Sequence, residues 1–88
     1  MKNENIAQML QRMGTLLEIK GELVFKIRAY FKAADTIRSL GEDIEQIARE
    51  GRLTDIPGIG KTLQEKIIQY IETGKIQAYE KLIKEIPE

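Results

Sequence analysis

The chain has no cysteine, no histidine and no tryptophan, and only two prolines. Without cysteine or histidine there are no disulfide staples, no Cys/His zinc sites and no histidine-based activation of a nucleophile. Charge of either sign is not in excess, because fourteen basic residues face fourteen acidic ones. That balance argues against a domain held on nucleic acid by bulk positive charge, while leaving room for lysines gathered on one face. Long apolar runs are also missing, and Met1 leads straight into Lys2, Asn3 and Glu4. The chain therefore reads as soluble and cytoplasmic, with no membrane partner. Eighty-eight residues allow one small domain whose core carries the fold unaided.

What is present is helical rhythm. Ile6, Met9, Leu10, Met13, Leu16 and Leu17 recur at spacings of three and four, which predicts an amphipathic first helix with Asn3 or Asn5 as its cap. Gly14 inside it either admits a closely crossing helix or is merely tolerated, and Gly21 ends the run. A second helix is predicted over about Glu22 to Leu40, with Leu23, Val24, Ile27, Tyr30, Phe31, Ala34 and Ile37 on its apolar stripe and Gly41 as its C-cap. Its other face carries Lys26, Arg28, Lys32 and Arg38, with Asp35 among them. A basic strip of this kind is most often a solvated face.

A short helix from about Asp43 to Glu50 follows, ended by Gly51, and Leu53 turns back toward the core. A fourth helix runs from about Lys61 to Glu72 and stops at Thr73-Gly74. The last begins near Ile76 and repeats the spacing with Tyr79, Leu82, Ile83 and Ile86. No alternating pattern supports a strand. The expectation is an all-α bundle of four to five short helices forming a single domain over 1–88, and Pro87 reads as the start of a connection to a longer protein.

The stretch Asp55 to Lys66, D-I-P-G-I-G-K-T-L-Q-E-K, interrupts this rhythm. Pro57 cannot continue a helix, and Gly58 and Gly60 permit positive φ and a close backbone approach. Ile56 and Ile59 would anchor the turn to the core. The N–H groups of Gly60, Lys61 and Thr62 then lie at a helix N-terminus, where free donors and the helix dipole favour an anion such as phosphate. A tight turn of purely structural use is the competing reading, and Lys61 beside the glycines favours the phosphate.

Lys66 falls at the border of the apolar stripe of the fourth helix, four residues after Thr62 and four before Tyr70. Burial there would lower its pKa, and an amine that is neutral part of the time can attack an aldehyde to form a Schiff base. The plainer reading is a stem lying over Leu63 and Ile67. Glu65 is either an accompanying base or a surface carboxylate.

Together, I-x-x-M-L (Ile6 to Leu10), K-x-R-A-Y-x-K-A-A (Lys26 to Ala34), I-P-G-I-G (Ile56 to Gly60), E-K-I (Glu65 to Ile67) and T-G-K (Thr73 to Lys75) resemble the N-terminal domain of family X DNA polymerases, the relatives of DNA polymerase beta. The resemblance implies a helix-hairpin-helix motif over about 43–72 and further polymerase domains beyond this chain. It implies binding to the 5′-phosphate side of gapped or nicked DNA in base excision repair, and in the animal enzymes removal of 5′-deoxyribose phosphate by β-elimination through a lysine Schiff base. Lys66 stands at the nucleophile's position with Glu65 before it, and Lys26 and Tyr30 stand where the family lines its phosphate pocket. The hairpin would hold Na+ or K+ through the carbonyls of Thr54, Ile56 and Ile59, and DNA binding would need no other cofactor.

Three positions depart from the family pattern. Phe25 replaces a histidine, and Thr54 and Thr62 replace lysines. Lys61 is offset from Thr62 by one residue, about 100° around a helix. A pocket so depleted should hold phosphate more weakly, so DNA binding carries over better than lyase activity. Three functions follow: sequence-independent DNA binding, a Lys66 lyase whose trapped adduct survives Lys81→Ala, and a helical protein-interaction domain. Polymerisation needs clustered metal-binding carboxylates, whereas Glu42, Asp43 and Glu45 read as charges of a helix's first turn.

Overall fold

A computed structural model of the chain describes residues 1–86, so the Pro87 expectation lies outside it. Five helices form among the described residues, with no strand: α1 (Asn3–Lys20), α2 (Val24–Arg38), α3 (Ile44–Arg49), α4 (Lys61–Thr73) and α5 (Gln77–Glu85). A 3-10 turn, Leu53–Asp55, leads into the hairpin between α3 and α4. The all-α bundle expected from the spacing is what forms. No helix of the described residues is long and apolar enough to cross a membrane.

The longest two helices pack against each other as an antiparallel pair. Glu4 meets Arg38 at 3.2 Å at one end, and Gly14 meets Phe31 midway. A Cβ at Gly14 would lie 2.9 Å from the Phe31 ring, so this glycine is where α2 crosses closely. The core runs from Ile6, Leu10 and Met13 through Ile37 and Ile44 to Ile67 and Ile76, all at most 1% exposed. Leu53, Ile56 and Ile59 are buried as well. Removing such side chains from water is the dominant favourable contribution to folding.

Several local expectations require correction. The N-cap position of α1 is Lys2, with no side-chain cap bond. Asn3 is buried, and its side chain crosses to α3 instead, where Nδ2 donates to the Glu42 carbonyl at 2.7 Å and Oδ1 accepts from the Ile44 N–H at 3.0 Å. Asn5 stays exposed. Helix α2 starts at Val24 rather than Glu22, and Leu23 and Val24 lie 60% exposed; the N-cap sits at Leu23, before the stripe turns inward at Ile27. Its C-cap is Ser39, whose backbone and hydroxyl both donate to the Asp35 carbonyl at 3.1 Å, so Gly41 lies outside the helix. On α5 the inward residue is Leu82, while Ile83 is 44% exposed.

Candidate nucleic-acid interface

Ile56 and Ile59, 6% and 3% exposed, pin the hairpin to the core from both sides of Pro57-Gly58. The turn closes with the Ile59 N–H donating to the Ile56 carbonyl at 3.0 Å. Gly58 has φ +86°, a left-handed conformation that side chains with a Cβ resist. Gly60 does not share it: φ −91° and ψ −171° are ordinary extended values. A Cβ on Gly60 would also meet nothing within 4 Å. Neither backbone strain nor a close contact among the described residues requires a glycine there, although glycine is a common residue at a helix N-cap.

Helix α4 begins immediately afterwards, with Gly60 as N-cap and no side-chain cap bond. The Gln64 N–H donates to the Gly60 carbonyl at 2.9 Å. The N–H groups of Gly60, Lys61, Thr62 and Leu63 meet no acceptor among the described residues, as expected for a first turn left without a capping side chain. Lys61 and Thr62 are exposed.

Two clefts share a wall at this point. One, about 370 Å³, runs along the hairpin past Gly58, Gly60, Lys61 and Thr62 to Lys26, Tyr30 and Phe25 on α2. The other, about 260 Å³, lies between α2, α4, α1 and α5 and is lined by Lys66, Lys26, Tyr30 and Thr62 together with Lys20, Lys81, Glu22 and Glu85. Lys26, Tyr30 and Thr62 belong to both. Lys66 therefore opens onto the same side as Lys26, Tyr30 and the start of α4. Glu65 is exposed and lines neither cleft.

Burial holds the Lys66 pKa below the ordinary lysine value; the neighbouring positive charge of Lys26 pushes the same way, and Glu65 opposes both. Burial likewise raises the Tyr30 phenol. Lys26 is 3.7 Å from Glu22, while Glu85 lies 2.7 Å from Lys20 and 3.9 Å from Lys81. Lys66 makes no ion pair among the described residues. Lys20, Lys81, Glu22 and Glu85 were not anticipated as site residues. Lys20 and Glu85 are 65 positions apart, and no local spacing rule connects α1 with α5.

At the hairpin, the Thr54 and Ile59 carbonyls accept no hydrogen bond among the described residues, and the Ile56 carbonyl accepts one. A carbonyl oxygen has two lone pairs, so all three retain capacity for a cation. No group of three Asp/Glu side chains gathers among the described residues, so a cation there would depend on such carbonyls.

Residues 1–76 match the family described as Helix-hairpin-helix domain. The chain belongs to that family. This helix-hairpin-helix domain is also 33% identical, over all 88 of its residues, to the DNA polymerase/3'-5' exonuclease PolX of Bacillus subtilis (strain 168). It spans 15% of that protein's length and aligns with its N-terminal part. The resemblance to the N-terminal domain of family X polymerases, read from the hairpin and the α2 block, is thus borne out.

Proposed function

We propose that this helix-hairpin-helix domain binds DNA without reading its sequence, engaging the 5′-phosphate side of gapped or nicked DNA during base excision repair. Gly58, Gly60 and Lys61 donate to phosphate oxygens, and Lys26 and Tyr30 line the pocket behind them. The observation that carries the reading is the first turn of α4. Its amides meet no acceptor among the described residues, and no contact among them requires the glycine before the helix. Similarity to a longer DNA polymerase supports the same conclusion. The proposal places the chain as one domain of a larger family X enzyme acting in the cytoplasm, with nucleotidyl transfer performed elsewhere in that enzyme. Na+ or K+ on the carbonyls of Thr54, Ile56 and Ile59 would hold the turn in shape and add positive charge facing the phosphates.

Titrating the domain with gapped DNA bearing or lacking a 5′-phosphate, and with intact duplex, tests this reading. The expected order is phosphorylated gap, then unphosphorylated gap, then duplex, with affinity falling steeply as salt rises. Equal affinities, or no response to salt, would overturn it.

A second reading rests on Lys66: its depressed pKa and its place beside Lys26 and Tyr30 suit 5′-deoxyribose-phosphate lyase chemistry. The neutral amine adds to the C1′ aldehyde of the opened sugar and water leaves as the imine forms. A proton is then lost from C2′, and the C3′–O bond breaks with the DNA 5′-phosphate as leaving group. Hydrolysis of the imine releases the sugar and restores the amine. Borohydride should trap a covalent adduct on incised abasic DNA with wild type and not with Lys66→Ala. Because Lys81 lines the cleft, Lys84→Ala is the better control and should trap as wild type does. Equal trapping by Lys66→Ala would remove this reading.

A further inference from the structure

Lys32 lies outside both clefts, yet the structure ties it to the hairpin. A Cβ on Gly58 would stand 3.8 to 3.9 Å from the Cγ, Cδ and Cε atoms of Lys32. The stem from Cγ to Cε is therefore laid past the left-handed glycine, where an added Cβ would touch it at ordinary van der Waals distance. A lysine stem laid along a surface restricts where its ammonium can go, so the charge stays close to the turn. Helical spacing continues the line, because Phe25, Ala29 and Lys32 fall on one side of α2 at intervals of four and three. The first two of these line the hairpin cleft, and Lys32 follows them past the turn.

Charge pairing sharpens the point. Three cations are answered by carboxylates distant in sequence: Lys20 by Glu85, Arg38 by Glu4, and Arg52 by Glu42. Lys32 and Lys61 make no ion pair among the described residues, although acidic and basic residues are equal in number. Of the lysines without an ion pair among the described residues, these two flank the turn, one over Gly58 and the other directly after Gly60.

We propose that Lys32 is a phosphate-binding residue of the hairpin, neutralising a DNA phosphate on the Gly58 side of the turn, opposite Lys61. This rests on the DNA-binding reading and deepens it. The phosphate track would run along α2 from Lys26 past the α4 amides to Lys32, so the domain grips backbone on both sides of the turn.

Lys32→Met separates charge from packing, because it keeps an unbranched stem over Gly58. Affinity for 5′-phosphorylated gapped DNA is measured across salt for wild type, Lys32→Met, Lys32→Ala and the distant Lys84→Met. The plot of log affinity against log salt should be shallower by about 0.9 in both Lys32 variants, one phosphate's worth of released counterions. Between about 50 and about 200 mM salt, the advantage of wild type should shrink by about 3.5-fold. Lys84→Met should keep the wild-type slope. A wild-type slope in Lys32→Met would overturn the proposal and leave Lys32 as a cover for the turn. Absence of salt-dependent binding by wild type would instead overturn the DNA-binding reading itself.

Discussion

The amino ends of α3 and α4 expose the same kind of backbone donors and are treated in opposite ways. At α3, Asp43 accepts from the Glu45 N–H and Asn3 reaches across from α1 to accept from Ile44, both at 3.0 Å. At α4 no side chain among the described residues answers, and the residue before the helix is a glycine with open space where its side chain would be. The short helix is finished from within. Helices α1, α2 and α5 also start without a side-chain cap bond, so what sets α4 apart is the open space at the glycine before it, which the proposed phosphate contact would use.

The largest effect should come from removing the internal answer. Asn3→Ala leaves the Ile44 N–H and the Glu42 carbonyl without partners and should lower stability by about 1–3 kcal/mol, read from chemical denaturation. DNA affinity at temperatures where the protein stays folded should remain unchanged. If it falls with stability intact, the two helix ends are not separate in purpose.

Gly60→Ala is the converse experiment. Ordinary dihedrals and an empty Cβ position predict an unchanged denaturation midpoint, whereas DNA affinity should fall about tenfold, or about 1.4 kcal/mol. Loss of stability without loss of binding would reverse the assignment. Gly58→Ala is the less clean probe: its left-handed backbone should lower stability by about 1 kcal/mol alongside any loss of binding.

The smallest effect concerns protonation. Because the Lys66 pKa is lowered in the fold, the unfolded chain holds the proton more tightly between the folded value and 10.5. Stability should therefore rise slightly with pH across that window, and Lys66→Met should flatten the rise. Tyr30, raised from 10.0 by burial, works in the other direction above that value, so Lys66→Met is compared in a Tyr30→Phe background. Reductive methylation followed by peptide mapping should modify Lys66 at lower pH than the exposed Lys84. Equal rates would place Lys66 with the surface lysines.

Much of this was readable in the residues. The three- and four-residue spacing located all five helices, and Pro57 with its flanking isoleucines marked the hairpin, because these are local patterns with local causes. The uses of Asn3 and Gly60 were not readable. Asn3 sits where a helix cap belongs, but its partners are 39 and 41 positions away, and only tertiary packing decides between a near and a distant acceptor. Two glycines in one turn look interchangeable in sequence, whereas only Gly58 needs its conformational freedom. Leu23 and Val24 fit the apolar stripe by type, yet they precede the point where α2 meets α1. Lys66 beside Lys26 and Tyr30 could be anticipated from the family pattern, but the lysines and glutamates contributed by α1 and α5 could not.

The bond from Asn3 to α3 has a consequence for how the molecule comes together. Six residues are too few to sustain a helical segment alone in water, so α3, the helix leading into the hairpin, depends on a clasp supplied by the first turn of α1. Excised as a peptide, residues 43–72 should lose their shape, and trimming the first few residues should destabilise the fold in the way Asn3→Ala does.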